Sequence, residues 1–508
     1  MQHNDDKRPI ETPTRSPLSG LPRTSHTNSL YFVLLATAGL FLARIPGLAH
    51  RFFDPDEFEH AHAAWCVFKG MLPYKDFFEH HTPFYYYALS PFFHWFHVDL
   101  SFESARHFLI FGRGLSLVLA LLSFLLVVLI GRLLEDRKLG LGAGLLLIVQ
   151  PFFFQKTVEI RPDVLALPIF LGSLWFLLRG LARSTERAKQ SLWNFFGGGL
   201  CLGAAMMCTQ KMLFVLPGLF AGLGIWALLG GARAFRSRML STMALLLGLG
   251  VSTGLTWAAF ALQHGGGEFI TNNFLLNSKW KHVSHEQLIR LINASWPALV
   301  LCLLGATVSL YRFLRSKQRQ FGEFLLLCIL FGLVAGILIM PGAHRQYYLM
   351  LLPIVCLFAA KGLFVLIERA PERARAWLFV FAMIPLAIPS VLDLRESFTT
   401  RNDGQLAKLR YVFESTKPTD AVMDGIEGSG VFRPHALYHF FLHAEILDML
   451  SQEQVDGYMD ALESGKIRPR MIALDENLVA LGTRFLRFVK KNYASSDGFF
   501  YFSKGRFD

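Results

Sequence analysis

FFDPDEFEHAHAAWCVFKGMLPYKDFFEHHTPFYYY, residues 52–87, gathers acids, histidines, prolines and aromatics directly behind the first long apolar stretch of the chain. Ionisable groups beside a membrane segment are costly to hold there and mark function more often than packing. The segment begins as a helix start. Asp54 suits the N-cap, Pro55 the first helical position, and Glu57 the third position of a capping box. Phe58, Ala61, Trp65 and Phe68 follow at helical spacing, which predicts an amphipathic helix lying along a membrane surface and ending at Gly70. Helix initiation accounts for Asp54 and Glu57. It leaves Asp56, and His60 one turn further on the same face, without a structural task.

The helix N-terminus keeps Asp56 ionised, as befits a carboxylate that accepts a hydrogen bond and then a proton from a hydroxyl. Asp56 with His60, or Glu79 with His80 and His81, are alternative candidates for a shared divalent cation such as Mg, Mn or Zn. Phe84–Trp95 is apolar and aromatic but short, which predicts a re-entrant or interfacial piece. Tyr85, Tyr86 and Tyr87 read either as an interfacial aromatic belt or as the lining of a lipid or sugar channel.

The chain has 508 residues, 53% of them hydrophobic and 17% charged, with a mean hydropathy of +0.38. That is more apolar and less charged than soluble domains, and it places the chain in the membrane class. Its formal charge of +12 does not point to nucleic acid, because Lys and Arg fall in short clusters between apolar spans. About 20 apolar residues cross a bilayer as a helix. Eleven spans are expected, near 29–48, 105–133, 139–154, 162–178, 193–208, 212–229, 239–262, 294–313, 321–340, 347–366 and 376–392.

With the polar tail of residues 1–28 disordered and cytoplasmic, the even-numbered connections are basic. They carry Arg132/Arg137/Lys138, Arg183/Arg187/Lys189, Arg233/Arg236/Arg238, Arg312/Arg315/Lys317/Arg319 and Lys361/Arg369/Arg373/Arg375. Residues 49–104 then form a long outer loop, and residues 395–508 a small soluble α/β domain on the same side. Strands are expected at 421–424, 471–474 and 499–502, and helices at 437–450 and 478–491. The six cysteines, Cys66, Cys201, Cys208, Cys302, Cys328 and Cys356, include no CxxC pair. They read as small buried residues, with neither a disulfide framework nor a thiolate metal site expected.

At these residues the chain resembles the GT-C superfamily of glycosyltransferases that use polyprenyl-phosphate sugars, in particular the branch of protein O-mannosyltransferases and the lipid A aminoarabinose transferase. Asp56-Glu57, Gly70, Pro73-Tyr74-Lys75-Asp76 and Pro83-Phe84-Tyr85 follow the family order after the first span. Arg161-Pro162-Asp163 stands where relatives carry a second acid, Thr209-Gln210-Lys211 where they have a lysine near the lipid phosphate, and His344-Arg345-Gln346-Tyr347-Tyr348 before a late span. His80-His81-Thr82 replaces a lysine-bearing run of the aminoarabinose branch, and no Trp-Trp-Asp-Tyr-Gly motif of oligosaccharyltransferases is present.

The resemblance implies an all-α polytopic fold and inverting transfer of a sugar to a glycan, lipid or protein acceptor on the outer face of a bacterial inner membrane. Asp56 and Asp163 would be the catalytic acids, and Lys211 and Arg345 would bind the donor phosphate. Glu57, His60, Glu79, His80, His81 and Tyr85 are further substrate or metal candidates. The rival classes are a transporter or flippase of a lipid-linked substrate, and a polymerase or ligase consuming a lipid-diphosphate donor.

Overall fold

The computed structural model describes residues 35–504, apart from 184–187, 230, 280–284, 317–320, 341–342 and 496. The N-terminal tail, the start of the first expected span, and Arg187, Lys317 and Arg319 lie outside the described residues. Seven helices are long and apolar enough to cross a bilayer: Phe102–Leu134, Pro162–Arg183, Gln210–Leu228, Ala234–Ala261, Glu286–Arg315, Phe321–Ile339 and Glu372–Thr399. Each coincides with an expected span.

Three other expected spans take different forms. Residues 193–206 of the span expected at 193–208 fall in the Ala188–Met206 helix, and the span ending at 366 is the shorter apolar helix Leu352–Ile367. Residues 139–154 are not one helix: Arg137–Ile148 stops, and Pro151 opens a separate short helix, Pro151–Lys156. A proline lacks the N–H that an uninterrupted helix needs there. The charged Lys156-to-Arg161 passage follows this break.

The membrane helices pack through small residues, as expected where lipid removes the hydrophobic drive between helices. Gly305 and Gly362 make the tightest crossing. A Cβ on Gly305 would lie 1.9 Å from the Phe358 carbonyl oxygen, and one on Gly362 2.1 Å from that of Leu301.

The helix Pro55–Phe68 starts as its sequence dictates, with the Asp54 N-cap, Pro55 and the reciprocal Glu57 capping box, and Gly70 follows its end at φ +86°. It does not lie along a surface. Every residue from Glu57 to Cys66 is buried, because the C-terminal region covers one side and the membrane helices the other. The 84–95 passage is a chain of short helical pieces, Phe84–Leu89, Ser90–Phe92 and Phe93–Phe96. Tyr85 and Tyr86 are buried within the protein and only Tyr87 is exposed, so these tyrosines do not form a lipid-facing belt.

In the C-terminal region, β1 (Val422–Met423), β2 (Met471–Ala473), β3 (Tyr493–Ala494) and β4 (Phe500–Ser503) form one sheet in the order β1-β2-β4-β3. β1 runs parallel to β2 with Met423 opposite Ile472, while β4 is antiparallel to both neighbours. β3 has no counterpart in the sequence reading; two residues are too few to show an alternation. The helix expected at 437–450 is confined to Ala444–Met449, because residues 437–443 run irregularly across the first outer loop. The helix expected at 478–491 is interrupted by Gly482 at φ +102° and becomes Glu476–Val479 and Thr483–Asn492.

Glu57 and Arg113 tie the loop to the membrane helices. The Arg113 guanidinium donates to both Glu57 oxygens at 2.7 and 2.9 Å, and to the carbonyls of Leu48, Arg51 and Phe52 at 2.8–3.1 Å. Both side chains are fully buried. Removing one partner strands the other charge, at a cost of roughly 3–5 kcal/mol. Arg113→Ala and Glu57→Ala are therefore each expected to lower the melting temperature and the monodisperse yield of detergent-solubilised protein sharply. A melting curve like that of wild type in either variant would contradict this role.

Candidate active site where two helix starts meet the C-terminal region

Asp56 stands at the start of its helix and Asp163 at the start of the Pro162–Arg183 helix. Between them Arg161, 2% exposed, donates to Asp56 Oδ2 at 2.7 Å, to Asp54 Oδ1 at 2.8 Å and to Glu159 Oε2 at 2.5 Å. Lys156 closes the network on Asp54 at 2.8 Å and Glu159 at 2.9 Å, and Arg51 reaches Glu159 at 3.0 Å. Burial pushes Asp56 and Asp54 upward, but the charges of Arg161 and Lys156 outweigh it and hold both below the ordinary aspartate range.

Asp56 remains partly open, with 32% of its side chain exposed to a polar cavity of about 320 Å³. Lys211 also lines the cavity and is paired with Asp163 at 2.9 and 3.0 Å, its ammonium 4.0 Å from the Tyr347 ring centroid. Arg345 is different: its hydrogen bonds go to neutral amide oxygens, Gln287 at 3.1 Å and Gln155 at 2.8 Å. It is the cavity guanidinium whose hydrogen bonds, among the described residues, involve no carboxylate.

Glu79, His80 and His81 stand together, and Glu59 joins them. Glu79 Oε1 accepts from the backbone N–H groups of His80 at 2.8 Å and His81 at 2.9 Å. The ligand atoms of the four lie within 4.8 Å of one another. Among the described residues neither Glu59 nor Glu79 pairs with Lys or Arg; their ionisable neighbours are His80 and His81, which burial holds below the ordinary imidazole value. Burial and the nearby carboxylates of Glu79 and Asp56 push Glu59 well above the ordinary glutamate value. Two buried carboxylates and two imidazoles are a donor set that fits a borderline divalent cation. Asp56 and His60 do not share such a site: Asp56 faces Arg161, and His60 Nδ1 meets the Tyr86 hydroxyl at 3.2 Å.

Glu57 lies in the Arg113 clamp, and Tyr85 and His60 are buried beside each other, 6.2 Å between ring centroids; none of these three lines the cavity. The sequence reading missed Glu59, Gln287, His443 and Glu445. Glu59 was open to discovery, being one turn beyond Asp56 on the same helical face. His443 and Glu445, hydrogen-bonded at 2.7 Å, come from the distant C-terminal region with no motif around them.

Two comparisons with known proteins match this architecture. Residues 81–257 match the family model described as dolichyl-phosphate-mannose-protein mannosyltransferase. ArnT from Cupriavidus metallidurans superposes with TM-score 0.65 at 13% identity in its apo state, covering 93% of this chain and 98% of that one; it has also been solved bound to undecaprenyl phosphate. The archaeal oligosaccharyltransferase AglB from Archaeoglobus fulgidus, in complex with an inhibitory peptide and a dolichol-phosphate, superposes with TM-score 0.58 at 12% identity, covering 94% and 75%. The oligosaccharyltransferase of that organism in complex with Zn and sulfate gives TM-score 0.52 at 13% identity, covering 83% and 64%. Curated protein sequences give no match.

The fold is that of ArnT and AglB. The resemblance read from the Asp56-to-Tyr85 motifs and the later 161–163, 209–211 and 344–348 segments is borne out at the level of fold, and the chain is an integral membrane protein.

The sign of the aspartate shifts sets a pH window. Groups held below their unfolded value contribute stability that is complete above about pH 3.9 and is lost as pH falls through the lowered folded values. Arg161→Met leaves the Asp54 and Asp56 carboxylates without their main cation, so its melting temperature is expected to fall furthest below wild type near pH 8 and to approach it as pH drops toward about 4 and the carboxylates take up protons. A gap that widens as pH falls from about 8 to 5 would contradict this role of Arg161.

Proposed function

We propose that this chain is an inverting membrane glycosyltransferase that moves a sugar from a polyprenyl-phosphate carrier to an acceptor hydroxyl. The supporting observation is the cavity itself, where ionised Asp56 shares one wall with Arg161 and faces Lys211 and Arg345. The matched family model and the lipid phosphates bound by the two structural neighbours supply the donor class. The charges stand at helix starts, which suits interfacial chemistry better than a mid-membrane transport path.

The acceptor oxygen attacks the anomeric carbon while the bond from that carbon to the phosphate oxygen breaks. The lipid phosphate leaves with the bonding pair. Asp56 orients the acceptor O–H and takes its proton. With its basicity lowered by Arg161, it does so as the new bond forms rather than beforehand. The leaving phosphate is already anionic and needs cations, which Lys211 and Arg345 present, rather than a general acid.

Among the described residues Arg345 holds no hydrogen-bonded carboxylate that it must release before it engages a phosphate, whereas Lys211 must loosen from Asp163. That exchange would free Asp163 to position the acceptor. Glu59, Glu79, His80 and His81 would hold a divalent cation, which when bound supplies positive charge near the reacting groups. The distribution of Lys and Arg between spans supports a cytoplasmic N-terminus with the site and the C-terminal region on the opposite face, which would be the periplasmic one in a bacterial inner membrane.

Asp56→Asn is expected to insert like wild type, to melt lower because buried Arg161 loses one of its three carboxylates, and to transfer no labelled sugar from a polyprenyl-phosphate donor. Full transfer by that variant would remove Asp56 from the mechanism. Arg345→Met is expected to raise the donor KM on the order of tenfold while leaving the acceptor KM unchanged. Label that only changes leaflet in proteoliposomes would favour transport instead.

A further inference from the structure

We propose that His62, Cys66 and His435 form a second metal site, specific for a zinc-like ion, that pins the C-terminal region onto the helix bearing Asp56. His62 and Cys66 are one turn apart on the Pro55–Phe68 helix, and His435 follows the loop after β1. His62 and Cys66 are buried and His435 is half-buried. His62 Nε2 lies 2.9 Å from His435 Nδ1, and Cys66 Sγ lies 3.4 Å from His62 Nε2 and 3.7 Å from His435 Nδ1. Tetrahedral zinc, with Zn–N near 2.0–2.1 Å and Zn–S near 2.3 Å, requires N···N of about 3.3 Å and S···N of about 3.6 Å. The observed triangle differs from that by a few tenths of an ångström.

Protons account for the triangle poorly. His62 Nδ1 lies 2.8 Å from the Val431 carbonyl, which only accepts, so Nδ1 carries the imidazole proton and Nε2 a lone pair. If His435 Nδ1 is protonated, it and the thiol are two donors facing one lone pair. If it is not, two nitrogen lone pairs face each other at 2.9 Å. A cation at the centre satisfies Nε2, Nδ1 and a thiolate together, and the bond from His62 to Val431 is the outer contact that orients a metal-bound imidazole. A small cavity of about 30 Å³, lined by His62 and His435 with Glu59 and Asp424, has room for a water as fourth ligand. On binding, Cys66 gives up its proton to solvent, and no redox change occurs.

The site is distinct from the Glu59, Glu79, His80 and His81 group, because it alone contains a thiol. Among the described residues no other cysteine stands in a potential metal cluster. This gives it its own spectroscopic signature. Titrating the purified full-length protein with Co²⁺ should produce a near-ultraviolet thiolate-to-cobalt band whose final intensity corresponds to one thiolate-bound cobalt per chain and which Zn²⁺ displaces. The band should persist in Glu79→Gln and vanish in Cys66→Ser and in His435→Gln. Absence of the band in saturated wild type overturns the proposal, and so does its survival in Cys66→Ser. The wild-type titration decides by itself should a variant fail to fold. Limited proteolysis of zinc-loaded wild type should release the C-terminal region more slowly than proteolysis of the chelated protein; equal rates would overturn the pinning role.

Discussion

Arg161 is the group on which the site depends. A guanidinium this deeply buried survives because three carboxylates, Asp54, Asp56 and Glu159, surround it, and it, with Lys156, keeps those carboxylates ionised. The arrangement fixes the relative positions of two elements distant in sequence, the start of the Pro55–Phe68 helix and the start of the Pro162–Arg183 helix. Proline follows the charged residue in both, as Asp54-Pro55 and Arg161-Pro162, so both helices begin at a defined residue. Two helix starts facing each other bring two positive dipole ends together, which favours anions between them.

The second constraint is coverage. The first outer loop is too polar to pack wholly against membrane helices and too apolar to stand in water, and the C-terminal region resolves this by lying over it. Asn402 donates its backbone N–H to the His50 carbonyl, Arg433 reaches the Asp99 carbonyl and Tyr438 bonds the Tyr74 carbonyl. The same contacts carry His443 and Glu445 to the cavity rim. Their position therefore depends on how firmly that region is held.

The sequence was legible where local chemistry settles structure. The Asp54, Pro55 and Glu57 helix start and the seven long spans follow from capping rules and bilayer thickness. It was illegible where the deciding contact is remote. Glu57 looked like a capping residue and a site candidate in equal measure, until Arg113, 56 positions later, claimed both its oxygens. Cys66 looked like a small apolar residue because its partner His435 lies 369 positions away. Helix 437–450 failed for a related reason: its periodicity is real, but residues 437–443 are spent on bonds to the outer loop, such as the backbone pairing of Phe78 with Tyr438.

A paired acid and a partly unpaired cation divide the work of such a site. In the transfer proposed above, Asp163 and Lys211 would neutralise each other until a phosphate competes for the lysine. Arg345, bonded to two amides, would provide the initial attraction. Asp56 would repel the same phosphate, but Arg161 and Lys156 offset its charge while part of its side chain stays exposed. An anionic donor could then approach an anionic base against a smaller barrier than two free carboxylates would impose. Arg161 suits that balance better than a lysine, since its five N–H donors, spread over a planar fork, reach carboxylates on two separate segments from one buried position.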